Sequence, residues 1–269
     1  MNEPNPLSGV TVLVARPQGQ GERLCSRIRA LNGNALHIPA VEVHPLPMST
    51  ELHRIAQKLA SYDGVLFVSA NAVEHAMRWF AAEQVALPLN GLIGAVGLQT
   101  AQSLRNQGIS VNAFPADRHD SEGLLKVSAL QEVRGKSILI VRGRGGRTFL
   151  GDELRNRGAH VDYAEVYERR CPAGTLREKI PPGTRVDILV ATSNEMIDNL
   201  LALAGTDDRT WLCTLPLIVF SDRNREHARA QGFKQSALLA TSTSDEGIVE
   251  AMMAWMDRRR TAGTDPGRE

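Results

Sequence analysis

At 269 residues the chain has room for two domains of about 100–150 residues each. Its 42% hydrophobic and 23% charged residues exclude a disordered chain, and a net charge of +1 excludes a whole-chain field that would draw it to nucleic acid or an anionic membrane. Three scattered cysteines (Cys25, Cys171, Cys213) form neither a disulfide framework nor a metal-ligand spacing. The start MNEPNPLSG has no signal-peptide pattern, and no apolar run reaches the length of a membrane span, so a cytoplasmic protein is expected.

Short β-rich runs alternate with helical patterns. Val10–Ala15 reads as a buried strand, followed by a helix over about 20–31 with Leu24, Ile28 and Leu31 on one face and Gly33 as its stop. Residues 35–47 read as a long extended stretch, because Pro39, Pro45 and Pro47 oppose helix. Then come a helix (51–59), a strand (64–68), a helix (71–81), a strand (91–96), a helix (99–106), a short strand (110–114) and a helix (121–130). A second round opens with a strand at 137–141 and a helix at 147–157 stopped by Gly158, and the long extended stretch recurs at 160–170. Strands at 186–191, 217–220 and 236–239 and helices at 194–203, 223–231 and 245–258 complete it, before a polar tail expected to be disordered.

The two rounds are copies. GVLFVSANAVEHAM returns as DILVATSNEMIDNL, AVGLQTAQSLRNQG as VFSDRNREHARAQG, and DSEGLL as SDEGIV, at one constant spacing. TVLVARPQGQGERL returns as SILIVRGRGGRTFL at a spacing two residues longer, which sets Arg16 on Arg142. A unit this long is not a solenoid repeat. Strand–helix alternation predicts an α/β protein with two flavodoxin-like, doubly wound parallel-sheet lobes and a cleft between them. The two extended stretches, too long for one strand of a small sheet, are expected to link the lobes as a two-stranded connector.

Ligands of open parallel sheets bind beyond the carboxyl ends of the strands. Those positions hold Arg16, Ser69-Ala70-Asn71, Gly97 to Thr100, Arg142 to Arg147 with Gly145, Thr192-Ser193-Asn194, and Ser221 to Asn224. Each small polar residue there has a plain reading as a helix N-cap. Together they also predict several helix N-termini offering free amides to carboxylates or phosphates. The Arg142–Arg147 stretch RGRGGR is a single copy, unlike an RNA-binding tract, and has neither the Gly-Lys-Ser/Thr ending of a Walker loop nor GxGxxG spacing. No GxSxG, HExxH or CxxC occurs, and the seven histidines, without ligand spacing, read as surface residues. Tyr163 and Tyr167, four apart in the second extended stretch, are expected to share a face. Their plain reading is packing under a loop.

The segments VLVARP, LFVSANAV, AVGLQTAQSLRNQG, SEGLL, ILIVRGRGGRTFLGDELRNRGAHVDYAEVYERRCP, VATSNEMIDNL and SDRNREHARAQGF together resemble the uroporphyrinogen-III synthase family from about Val10 to Met256. The resemblance implies two lobes between which the chain crosses twice: residues 1–37 with 172–260, and residues 38–171 including connector strands 38–45 and 163–171, with 261–269 as the tail. It implies an enzyme that needs no cofactor or metal. The substrate, hydroxymethylbilane, loses its terminal hydroxyl to give an azafulvene. The substituted carbon of ring D attacks it, a spiro intermediate forms, ring D inverts and the macrocycle closes as uroporphyrinogen III.

The resemblance further implies that carboxylates meet amides near Ser69, Thr100, Ser193 and Asn224. Tyr167, on the family's tyrosine, would donate a hydrogen bond or proton to the departing hydroxyl. Thr100 falls on the family's VGxxT threonine, and Arg16 on a family position at the end of the first strand. Two departures stand out: Val68 replaces the threonine of Phe-Thr-Ser, and Asn224 stands where some members carry threonine. The partners implied are a small-molecule substrate, with room for a transient handover from hydroxymethylbilane synthase, and neither nucleic acid nor membrane. Nothing demands more than a monomer. The repeat alone equally suits a non-catalytic two-lobed protein that senses a small anion. A sugar-nucleotide transferase would need a nucleotide site that no glycine pattern supports.

Overall fold

Continuous aliphatic runs form the strands, and amphipathic stretches opened by small polar residues form the helices. In this computed structural model, residues 6–88 and 91–263 are described. The elements begin with β1 (Thr11–Val14), α1 (Gln20–Ala30), β2 (Asn34–His37), β3 (Glu42–Pro45), α2 (Thr50–Gln57) and β4 (Gly64–Phe67). They continue with α3 (Ala70–Ala82), β5 (Leu92–Ala95), α4 (Leu98–Asn106), α5 (Ser121–Leu124), β6 (Ser137–Gly143) and α6 (Phe149–Asn156). The last are β7 (His160–Arg170), α7 (Leu176–Lys179), β8 (Ile188–Val190), α8 (Asn194–Leu212), β9 (Leu217–Val219), α9 (Asp222–Ala230), β10 (Leu238–Leu239) and α10 (Asp245–Gly263).

The chain divides into two compact units, Met1–Glu42 with Arg170–Glu269, and Val43–Arg169. The first unit holds a sheet ordered β2-β1-β8-β9-β10, with every pair parallel. Numbered within the unit, that is 2-1-3-4-5, the flavodoxin-like order. Successive residues of each strand face opposite sides. Leu13, Leu189 and Val219 therefore pack with α8 through Ile197 and Leu200. Val12, Val14 and Val190 pack with Leu24 and Ile28 of α1 and Ile248 and Met252 of α10.

The second unit holds a sheet ordered β3-β7-β6-β4-β5. Val65, Phe67, Leu139 and Val141 pack with α3 and α4 on one face, and Leu66, Ile138 and Ile140 pack with Leu150 and Leu154 of α6 on the other. A single parallel bridge, Gly94 to Ala113, extends the β5 edge. With β6 and β7 set on β1 and β2, β4 and β5 on β8 and β9, and Ala113 on β10, the two units share one strand order, to which the second adds the edge strand β3. The copies are therefore circularly permuted in the chain.

Several sequence expectations change. The stretch 35–47 is two strands: β2 joins the first sheet, and β3 lies beside β7 in the second. The stretch 160–170, expected to be too long for one strand, is the single 11-residue strand β7, with neighbours on both sides. Residues 110–114 form only the Ala113 bridge, and 121–130 break into α5 and a 3-10 turn at Ser128–Leu130. The left-handed residue closing α1 is Asn32 (φ 61°), one position before the predicted Gly33, which sits instead in close contact with Ile28 and Leu7. Helix α8 runs past the predicted end to Leu212 across a kink at Gly205. Helix α7 was legible as the capping box Thr175–Glu178 but not predicted. Part of the expected tail is helical, since α10 reaches Gly263; residues 264–269 lie outside the described residues. Among the described residues, no helix is long and apolar enough to cross a membrane.

Candidate active site

In the second unit, the chemistry gathers where β4, β6 and β7 end. Ser69 follows β4 and caps α3, its hydroxyl accepting from the Ala72 amide at 3.0 Å. The same oxygen lies 3.0 Å from the phenol oxygen of Tyr167. Ser69 is thus both the N-cap of the plain reading and a partner of the expected catalytic tyrosine. The amides of Ala70 and Asn71 precede the first intrahelical bond and remain available to an anion.

Tyr167 arrives there through a break in register. Along β6 and β7, Val141 pairs with Ala164 and Arg142 with Glu165, but Gly143 pairs with Tyr167. Val166 is the extra residue of a β-bulge, and a one-residue insertion reverses which face the following side chains take. The expectation that Tyr163 and Tyr167 share a face is therefore corrected. Tyr163 packs with Ile140 and Leu150 on one side of the sheet, and Tyr167 with Phe67 and Val141 on the other. Gly143 makes this possible, because a Cβ there would lie 2.6 Å from two atoms of the Tyr167 ring. The left-handed residue in the stretch that follows is Gly145, with φ 70°.

A cavity of about 230 Å³ opens beside these groups, lined by Ser69, Ser121, Arg142, Gly143, Tyr163 and Tyr167 among others. Arg142 is buried. It donates to Glu165 at 2.9 and 3.2 Å and to the Arg147 carbonyl at 3.3 Å, and its guanidinium lies 4.3 Å from the Tyr163 ring centre. Exposed Arg144 and Arg147 pair with Glu168 and Glu122 at the rim. Gly97 opens α4 without a side-chain cap, and in its first turn Thr100 is buried while Leu98 is exposed.

The first unit repeats the pattern with different partners. Ser193 and Ser221 cap α8 and α9, each accepting from the amide three residues on, Met196 and Asn224, at 3.3 Å. Asn224 is buried and donates to the Asn194 side chain at 2.7 Å, which ties the first turns of α9 and α8 together. A threonine, as at Thr100, has no amide to reach across in this way. Arg16 is 5% exposed and is held by Asp245 and by Gln20 at 3.0 Å, over the ring of Phe220. The repeat sets Asp245 on Ser121. The carboxylate that neutralises the strand-end arginine thus comes from a helix start in one unit and from β7, as Glu165, in the other.

Three contributors escaped the sequence reading: Glu165, Asp245 and His75. Histidines were expected at the surface, but His75 is buried, with its ring 5.6 Å from that of Tyr167 and tilted by 25°. The available signal was its place among Ala72, Ala76 and Trp79 on the apolar stripe of α3. Burial, which disfavours the charged imidazolium, pushes its pKa below the ordinary 6.5, with Glu74 opposing and Arg78 adding smaller effects. Below pH 6.5 an unfolded chain takes up this proton while the folded protein still refuses it. Stability is therefore expected to fall as pH drops below about 6.5. Urea midpoints of the native protein and His75→Phe between pH 7.5 and 5.5 check this: the variant should lose less, and parallel curves would contradict it.

Comparison with known proteins places the chain in a family. Residues 22–250 match the model of the family described as Uroporphyrinogen-III synthase HemD. The chain is 33% identical to the uroporphyrinogen-III synthase of Escherichia coli (strain K12), over 90% of this chain and all of that one. It is 34% identical, with the same coverage, to the synthase of Salmonella typhimurium. Its fold resembles a mutant uroporphyrinogen III synthase from the extremely thermophilic bacterium Thermus thermophilus (TM-score 0.60, 20% identity, 95% of this chain and 100% of that one). It also resembles the uroporphyrinogen-III synthetase from Helicobacter pylori 26695 (TM-score 0.61, 16% identity, 91% of this chain and 99% of that one). By sequence over nearly its whole length, this chain belongs to the uroporphyrinogen-III synthase family.

Proposed function

We propose that the protein converts hydroxymethylbilane to uroporphyrinogen III and water, inverting ring D on the way. The observation that carries this reading is the buried phenol of Tyr167, held by Ser69 at the wall of an arginine-lined cavity. If the Ser69 hydroxyl donates to the phenol oxygen, the phenol proton is free to meet the departing hydroxyl of the substrate. That hydroxyl takes the phenol proton and leaves as water with the electron pair of the C–O bond, while the pyrrole nitrogen supplies electrons and gives up its N–H proton to form the neutral azafulvene, which balances the proton taken from the phenol. The tyrosine therefore assists a departure already driven by the substrate. Attack by the substituted carbon of ring D, through the spiro intermediate, completes the inversion. The overall change is redox-neutral and needs no cofactor for electron balance.

Carboxylates of the substrate are assigned to helix starts, where amides and dipole favour anions. In the second unit these are Ser69, Ala70 and Asn71 and the Gly97–Thr100 turn, with Arg142 in the cavity wall and Gly145 turning the loop beside it. In the first unit they are Ser193, Asn194, Ser221 and Asn224. Arg16, already neutralised by Asp245, acts there by holding the strand end in place. Positioning of this kind is a large part of catalysis when the uncatalysed ring closure gives the wrong isomer. A cytoplasmic location and a direct handover from hydroxymethylbilane synthase belong to the same proposal.

The test is the isomer ratio. Purified protein given hydroxymethylbilane, without additives, should divert closure from the type I to the type III product, read by chromatography after oxidation to porphyrin. An unchanged type I output would leave only the anion-binding reading.

A further inference from the structure

We infer that His75 is a positioning residue for Tyr167, its imidazole forming the platform that sets the plane and reach of the phenol. This rests on the reaction proposed above. Helix α3 holds Tyr167 at two points. Ser69, at its N-cap, meets the phenol oxygen at 3.0 Å, and His75, a turn and a half further on, lies against the ring face at 5.6 Å between centres. Gly143 bounds the ring on the neighbouring strand, where a side chain would collide with it.

A hydrogen bond at the oxygen fixes only one end of a phenol. The ring can still swing about that contact unless its face is supported. His75 supplies the support from a rigid helix and is itself 7% exposed. Its Nδ1 is fully buried with no hydrogen-bond partner among the described residues. An apolar side chain at this position of the stripe would avoid that cost. The unpartnered nitrogen is thus a local cost borne where the ring faces the tyrosine of the site, as expected where function departs from the best core packing.

The experiment is a mutant cycle read as turnover to the type III isomer. His75→Ala is expected to lower kcat by about fivefold with KM changed less than about twofold, because a misplaced donor weakens the transition state more than binding. His75→Phe, which keeps a flat ring, should recover most of that loss. In a Tyr167→Phe background, His75→Ala should have almost no further effect on kcat, since its role runs through the phenol hydroxyl. Equal losses in both backgrounds, or none in either, would overturn the inference. If His75→Ala does not fold, His75→Leu takes its place in the cycle.

A second readout does not depend on the reaction. The chain has three tyrosines, Tyr62, Tyr163 and Tyr167. In tyrosine-labelled protein, loss of the imidazole ring current should shift the Tyr167 ring signals and leave those of Tyr62 and Tyr163 in place. If the native protein makes no type III isomer, the proposed function fails and this spectrum alone decides whether His75 supports Tyr167. Unshifted Tyr167 signals would then reject it.

Discussion

Asp245→Ala is expected to lower the stability of the first unit by about 3 kcal/mol, the cost of leaving a buried charge without its partner. The Arg16 side chain is 6% exposed and that of Asp245 11%, and the guanidinium already has an Nε that is buried without a partner among the described residues. Truncating Asp245 leaves Arg16 with the Gln20 side-chain oxygen and the Phe220 ring, neither of which carries a compensating charge. It also removes a favourable carboxylate from the first turn of α10. Asp245→Asn should lie between the two, since an amide oxygen still accepts but no longer neutralises. The double variant Arg16→Met/Asp245→Leu should recover most of the loss, because replacing both members of a buried pair with apolar groups is commonly near neutral. Urea denaturation decides. A loss below about 1 kcal/mol, the scale of an exposed pair, would mean that the bridge is not formed in solution.

Gly143→Ala is expected to abolish most turnover while Tyr167 itself is untouched. The added methyl would sit 2.6 Å from the Tyr167 Cε2 and Cζ atoms and 3.0 Å from its hydroxyl oxygen. Its backbone is not in the left-handed region, so the effect is steric rather than conformational. Overpacking of this kind costs about 1–3 kcal/mol of stability. Relief requires the phenol to leave Ser69, which should lower kcat by about tenfold or more. Tyr167→Phe gives the reference, with kcat down by about tenfold, below the usual range for a general acid because the substrate nitrogen drives departure of the hydroxyl. If Gly143→Ala works only by moving the tyrosine, adding it to Tyr167→Phe should reduce kcat little further. Full turnover by Gly143→Ala, with thermal stability unchanged, would show that the ring does not lie over β6. Full turnover by Tyr167→Phe would clear the phenol of a chemical role.

What the sequence determined by itself is local. Runs such as LFV and ILV mark strands buried on both faces. Ser69, Ser193 and Ser221 mark helix starts, because a hydroxyl three residues before an amide caps it wherever the helix lies. The repeat exposed two copies of one α/β unit, and the family motifs pointed to Tyr167. Tertiary structure decided what depends on partners far away in the chain. Which strands share a sheet was not legible in the periodicities, since 3.6- and two-residue patterns carry no information on permuted order; only the family resemblance implied it. Arg16 finds Asp245 across 229 residues of chain, a pairing that no local spacing encodes. Strict alternation put Tyr163 and Tyr167 on one face. The bulge at Val166 separated them, because register is settled by pairing with β6 and by the space above Gly143 rather than by β7 alone. His75 looked like a surface residue until α3 turned its apolar stripe, and the imidazole with it, toward the ring of Tyr167.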